Sequence, residues 1–481
     1  MVANNNATLI RRDLLTRMIE LQLDNKIGEM DRIPLKMRPR NGDHIRCCIY
    51  KDRALLKYKI MGLLGFDLSD ESDELTPIKD YFFEMLETET YGKKLLSVIE
   101  EVCSSCDSGN YVVTNMCRGC VSRSCMMSCN KEAINIVKGQ AVIDKNKCVN
   151  CGLCQKACPY HAIIYTPVPC EEACPVKAIN KNNSGKEHID EKNCIYCGKC
   201  IESCPFGAII ERSHIFRVIR DIQKSEKLVA LIAPALGGQF KSGLQNIINV
   251  IKQLGFGAVI EVAEGANITT DKEAAELKHK IESGEKLMTT SCCPSYVNLV
   301  NRHIPELKPF VSATKSPMYY AAEIAKNEYP DAKIVFFSPC LGKKHEASHT
   351  NLVDYVISFE ELGTWMVAQG LEISTIDTNT ERNIAHSDSR GYAIAGGVTN
   401  AVLNKLTQNL EIHPSNIQGI DKQQVKNLKM VPKIKQDFNF LEVMSCENGC
   451  IGGCNTIAKA NIAKRQIENE LIKTKEQHAV I

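Results

Sequence analysis

The sequence predicts an α/β domain in the C-terminal half, preceded by α+β modules built on cysteine clusters and by a small helical N-terminal region. Three observations predict it. Sixteen of the 24 cysteines fall between Cys103 and Cys204. From about residue 225 β-like apolar runs (LVALIAPAL, GAVIEVA, AKIVFFSPC, GYAIAGGV) alternate with helical, charged segments, the pattern of an α/β domain. Before residue 100, RRDLLTRMIELQL and DYFFEMLETETYGKKLLSVIEEV place apolar residues at helical spacing. The expected division is 1–100 mainly helical, 101–215 cluster-binding and 225–481 α/β, with a terminal helix after Cys454.

Composition limits the function classes. The chain has 481 residues and 59 Lys or Arg against 57 Asp or Glu, a net +2, so bulk charge nominates no nucleic acid or other polyanion. At 44% hydrophobic and 24% charged it is of ordinary globular composition. The start, MVANNNATLIRRDLL, shows no secretory signal, and no apolar run approaches 18 residues. The expectation is a cytoplasmic protein, without membrane insertion, whose thiols are reduced. In such a chain 24 cysteines mean metal or redox chemistry rather than disulfides.

The middle region is an internal repeat of Cys-x3-Ala-Ile, at Cys129, Cys158, Cys174 and Cys204. Two copies, Cys148/Cys151/Cys154/Cys158 and Cys194/Cys197/Cys200/Cys204, are complete C-x2-C-x2-C-x3-C-P runs. This is the bacterial ferredoxin motif, whose fourth cysteine ligates the neighbouring cluster. Zinc, the competing reading, uses two C-x2-C pairs and a long spacer and does not require the third cysteine or the proline. Crossed ligation assigns Cys117, Cys120, Cys125 and Cys158 to one 4Fe-4S cubane. It assigns Cys148, Cys151, Cys154 and Cys129 to a second, and Cys194, Cys197, Cys200 and Cys174 to a third. Cys170 and Cys204 remain. With Cys103 and Cys106, the one unassigned C-x2-C upstream, they complete a fourth; the alternative leaves Cys103 and Cys106 spare, so three or four accessory clusters are expected. Adjacent Cys47 and Cys48 read as partly buried small residues.

The last six cysteines occur in three islands: TTSCCPSYV (Cys292, Cys293), FFSPCLGKKHEA (Cys340) and EVMSCENGCIGGC (Cys446, Cys450, Cys454). In this order the islands resemble the three signature motifs of the iron-only (FeFe) hydrogenases, and the cysteine-rich region before them resembles the family's accessory clusters. The resemblance covers about residues 100–455. It implies that Cys293, Cys340, Cys446 and Cys450 hold a cubane, with Cys450 bridging to a two-iron subcluster that bears carbon monoxide, cyanide and a dithiolate amine: the H-cluster. It implies that Cys292 passes protons, that Lys343 donates to a cyanide ligand, and that Glu273 and Glu276, three apart on one helix face, continue the proton path. Pro234, Ala235, Ser338 and Met444 match positions around the cofactor. Lys344 reads as a solvated surface charge.

Departures from the family pattern mark a divergent branch. Ala235 stands where a serine is common, Ser338 where methionine is common, and Cys454 in place of a glycine. Ala313 stands where the proton path has a serine, leaving Ser312, Thr314 or a water to close the gap. The implied activity is reversible oxidation of dihydrogen, with electrons relayed to ferredoxin or a similar soluble carrier; diiron maturation proteins are the other implied partners. The alternatives are a non-catalytic relative used in iron–sulfur assembly and a hydrogen sensor.

Overall fold

The computed structural model describes all residues except 1–4, 68–69, 89–93, 104–105, 107–108, 374–384, 407–409 and 480–481, and the side chains of 473–479. Among the described residues no helix is long and apolar enough to cross a membrane.

The N-terminal helices Asn6–Leu23, Ile49–Leu64 and Ile78–Glu87 bury Leu14, Met18, Leu55, Ile60 and Phe82 in a core that continues into the α/β domain. Arg11 and Arg12 clamp the buried Glu360 of the helix Phe359–Ala368, at 2.5 and 2.7 Å. The helical pattern expected through residue 102 breaks, however. Leu96–Val98 is a strand antiparallel to Ile209–Glu211, because that partner edge supplies the backbone hydrogen bonds that a local helix would otherwise make.

Residues 110–166 form one cluster module around its own small core of Ile134, Ala141, Cys154 and Ile163. Strand Asn110–Val113 pairs with Ile163–Thr166, and Ile134–Val137 with Gln140–Ile143. Short helices Ser124–Met127 and Leu153–Ala157 each lead to a cysteine, Cys129 and Cys158. A second module repeats every part: strands Leu96–Val98 and Ile209–Glu211, hairpin Ile179–Lys181 with Glu187–Ile189, helices Pro169–Ala173 and Lys199–Ser203. The first module therefore sits inside a loop of the second. Its insertion separates Cys103 and Cys106 from Cys170 and Cys174, although the four correspond in order to Cys117, Cys120, Cys125 and Cys129.

The α/β part holds two parallel sheets. One has the order Ala258–Glu261, Leu228–Ile232, Lys333–Ser338, Tyr355–Ser358; the other Met288–Thr289, Phe440–Met444, Pro414–Gln418. Leu228–Ile232 and Phe440–Met444 are buried along their whole length, as parallel strands covered on both faces are. GYAIAGGV is not a strand but a turn, Gly391–Ala393, followed by the helix Gly397–Lys405. The Gly391 carbonyl lies where a Cβ on Gly397 would be, a close approach that only glycine permits. The terminal helix runs Ala460–Ala479.

Candidate active site

Each C-terminal cysteine island follows a strand. Cys292 and Cys293 lie between Met288–Thr289 and the helix Pro294–His303, Cys340 follows Lys333–Ser338, and Cys446 and Cys450 follow Phe440–Met444. Pro234 and Ala235 follow Leu228–Ile232. The carboxyl ends of strands from both sheets thus face one cavity, where open α/β folds place their ligands. It encloses about 790 Å³ and is lined by Pro234, Ala235, Cys292, Cys293, Ser338, Cys340, Lys343, Met444, Cys446 and Cys450.

The chemistry of these donors tests what the cavity can hold. Burial pushes the Cys340 and Cys450 thiols up to about 12, raises Cys293, and drives Cys292 and Cys446 well above the ordinary thiol value. Such thiols become thiolates when a cation compensates them, and iron does so. Burial opposes the charge on Lys343, but Glu346, 2.7 Å away, and the thiols of Cys292 and Cys340 outweigh it, and its pKa is raised. Among the described residues no three Cys, His, Asp or Glu close on a single-ion position. The thiols ring a space instead, and the residues present fit a cubane joined to an anionic partner beside Lys343.

Behind Cys292 runs a line of carboxylates. Glu273 and Glu276 project from the helix Val262–Glu282. Glu273 is fully buried and its Oε1 accepts from the Ser291 amide at 3.2 Å. Burial, then the charge of Glu276, lifts its carboxyl to about 7 against the opposing Ser291 hydrogen bonds. Glu273 is the first charge, after burial itself, that raises the Cys292 thiol. The Ser312 hydroxyl donates to Glu276 Oε2 at 2.7 Å and also lowers the pKa of Glu273; Thr314 reaches Glu276 only at 3.5 Å. Ser312 thus closes the gap opposite Ala313. Glu276 meets Lys280 at 3.4 Å and is partly exposed.

The accessory cysteines gather as well. Cys117, Cys120, Cys125 and Cys158 line one pocket, and Cys129, Cys148, Cys151 and Cys154 another. Burial and then Cys197, Cys194 and Cys174 raise Cys200. Burial, Glu187, Cys204 and Cys103 raise Cys170 to about 12, and burial, Cys103 and Cys204 raise Cys106. The Cys174/Cys194/Cys197/Cys200 group abuts the cavity: Ser295 donates to the Tyr196 carbonyl at 3.3 Å, and the Tyr196 ring stacks on His345 at 3.9 Å. Between them sits Cys454, whose charge acts on both Cys200 and Cys446. Gly198, at φ 78°, leaves room for it, because a Cβ there would run into the Cys454 Sγ.

Three residues correct or extend the sequence reading. Lys344 is not a surface charge: its Nζ is buried, 2.6 Å from Glu211 Oε1 and 2.7 Å from the Arg212 carbonyl. The helix Leu341–Ala347 aims it inward towards a carboxylate that the repeat region supplies. Tyr392, bonded to Thr270 at 2.8 Å, lines the cavity, and the buried Glu442 accepts from Thr399 and Gly396 and raises Cys292. Neither lies in a cysteine island; a lone buried carboxylate in the run FLEVM was the available signal for Glu442. Cys47 is exposed and Cys48 caps the helix Ile49–Leu64, its thiol lowered by backbone hydrogen bonds from Lys51 and others.

Residues 226–454 match the model of the iron-only hydrogenase large subunit, C-terminal domain. The chain belongs to the iron-only hydrogenase family. Residues 141–164 match a 4Fe-4S binding domain and 164–215 the LdpA Fe-S cluster-binding domain. The chain is 28% identical over 375 residues to iron hydrogenase 1 of Clostridium pasteurianum, covering 65% of this chain and 64% of that protein. It is 23% identical over 308 residues to the NADP-reducing hydrogenase subunit HndD of Solidesulfovibrio fructosivorans, 51% and 52% of the two chains. The chain therefore spans between half and two thirds of these hydrogenases' own lengths. Over 106 residues, 21% of this chain and 23% of the relative, it is 30% identical to the cytosolic Fe-S cluster assembly factor NAR1 of Kluyveromyces lactis. A solved structure of a variant of the [FeFe]-hydrogenase HydA1 from Chlamydomonas reinhardtii aligns at 16% identity and a TM-score of 0.43 over 53% of this chain and 88% of that one.

Proposed function

We propose that this divergent hydrogenase-family chain catalyses the reversible oxidation of dihydrogen at an H-cluster, with residues 225–481 as the catalytic part. Residues 101–215, together with the strand that precedes them, carry electrons, and the N-terminal helices brace the two. Cys293, Cys340, Cys446 and Cys450 hold the cubane, and Cys450 also holds the diiron unit, which supplies the dihydrogen bond cleavage when bound. The observation that carries the reading is the position of Cys292, in the cavity wall beside the four thiols and next in line to Glu273.

Every proton step falls to this chain's own residues. Cys292 exchanges a proton with the reacting centre, and Glu273, with its carboxyl at about 7, takes it or returns it without a large energy gap. Ser312 bridges to Glu276, and Glu276 hands on towards solvent beside Lys280. Lys343, held by Glu346, orients the anionic ligands of the cofactor, while the apolar walls from Pro234, Ala235 and Met444 exclude water. Four accessory cubanes relay electrons to a soluble carrier in the cytoplasm, and diiron maturation proteins install the subcluster.

Infrared spectroscopy of the anaerobically matured chain tests this, because carbon monoxide and cyanide on iron absorb where protein does not. Their bands, together with dihydrogen turnover, are the expected result. A fully loaded chain without those bands points to the iron–sulfur assembly role carried by the NAR1 relative.

A further inference from the structure

The 110–166 module differs from the rest of the chain in charge. It carries seven Lys or Arg against two Asp or Glu, a net +5, in a chain of net +2; the remainder is therefore −3. The module's core is its own, and it is tethered at one end. Chain entry and exit meet where Asn110 pairs with Thr166, and there Tyr165 bonds Glu172 at 3.1 Å, which in turn pairs with Lys422 at 2.8 Å. The pocket of Cys129, Cys148, Cys151 and Cys154 includes Tyr111 and lies at this tethered end. The pocket of Cys117, Cys120, Cys125 and Cys158 includes Val113 and Ile163, the opposite ends of the same strands, and so forms the tip.

At the tip every cysteine has an exposed apolar residue within two positions of it. Met116 precedes Cys117, Val121 follows Cys120, Met126 and Met127 follow Cys125, and Tyr160 follows Pro159 after Cys158. Val121 is 99% and Met127 76% exposed, far beyond what a solvent-facing loop requires of such side chains. Arg118 and Arg123 stand in the wall of the same pocket; Arg123 bonds a carbonyl, that of Gly139, so its charge is not neutralised there.

We propose that this tip is the docking surface for an acidic one-electron carrier protein, which seats its own redox centre against the apolar collar of the Cys117/Cys120/Cys125/Cys158 cubane. The inference rests on the electron-relay reading and deepens it by naming the port and the charge of the partner. Opposite charge steers the encounter while a small apolar contact lets the complex dissociate quickly, as a shuttling carrier needs. A second copy of this chain does not fit, since the tip would meet its own +5 module. The step moves one electron: the carrier's centre is oxidised by one unit, the cubane reduced by one, and no bond forms or breaks. Dihydrogen oxidation runs it in reverse.

Binding can be measured without dihydrogen chemistry, on the full chain carrying its 4Fe-4S clusters but prepared without diiron maturation. The probe is an acidic bacterial two-cluster ferredoxin, with a basic cytochrome c as the charge control. The ferredoxin should bind with a Kd that weakens steeply with salt. Arg118→Glu with Arg123→Glu should weaken it about tenfold or more at low salt, and Val121→Ser with Met127→Ser should raise its off-rate, both at unchanged iron content. If the charge reversal disturbs iron binding, the apolar pair decides. Equal binding by both variants, equal binding of cytochrome c, or sedimentation showing a self-associated chain that Val121→Asp dissociates would overturn the proposal. Missing infrared bands in the matured chain would instead strike the hydrogenase reading and leave this measurement standing.

Discussion

The tip of the 110–166 module and the cavity of the α/β part both collect thiols, yet they treat them oppositely. At the tip the partly exposed Cys120 thiol is lowered by the Ser122 hydroxyl, then by the Arg123 amide. In the cavity Cys446 is enclosed and driven far upward by burial and by its neighbouring thiols. The tip stabilises thiolates with local donors and leaves them open to solvent. The cavity leaves that task to iron and shuts solvent out. The difference follows what each must exchange: an electron arrives on a protein and needs a surface, whereas protons and dihydrogen pass through a closed wall and need a line of titratable groups.

Removing members of that line is the strongest way to break the comparison. Cys292→Ala should leave the infrared bands and iron content intact while turnover falls about a thousandfold, within the range for a lost proton donor; Cys292→Asp should recover part of it. Near-normal turnover with intact bands would move the route elsewhere, and Cys454 would be the next thiol to replace. Glu273→Gln should cost about a hundredfold and leave a signature in stability. The folded Glu273 carboxyl, at about 7, lies above its ordinary 4.5, so between those pH values the native chain holds a proton that the unfolded chain has released. Stability therefore falls as pH rises through this window, and thermal unfolding should show a smaller fall in the variant. Ser312→Ala should lower turnover only about tenfold, because Thr314 or a water can still bridge to Glu276.

The smallest expected change sharpens the other side of the comparison. Chain made without diiron maturation should carry about twenty irons, four accessory cubanes and the catalytic one. Cys103→Ser with Cys106→Ser should reduce this to about sixteen, measured by iron analysis. A wild-type value already near sixteen and unchanged by the substitutions would mean that those two cysteines are spare.

The accessory sets and the three cysteine islands were legible in the sequence for different reasons. Cys148, Cys151 and Cys154 lie on one short loop, so their spacing alone implies convergence. Cys293, Cys340, Cys446 and Cys450 come from three strand ends, and it was the family resemblance rather than spacing that joined them. Local reading failed where a distant partner decides the outcome. Lys344 looks solvated in GKKHEA until Glu211 of the repeat region meets it, and LLSV looks helical until Ile209–Glu211 arrives as its strand partner.

By itself, then, the sequence determined the cysteine chemistry, the α/β character of the second half and the proton carboxylates on one helix face, all of which depend on neighbours a few residues apart. Only the tertiary structure decided that Cys103 and Cys106 rejoin Cys170 and Cys204 around an inserted module, that Ser312 rather than Thr314 bridges the carboxylates, and that Cys454 stands between two cysteine sets. Those outcomes depend on where the chain returns after a long excursion. That is set by the burial of whole elements against one another, and no local pattern encodes it.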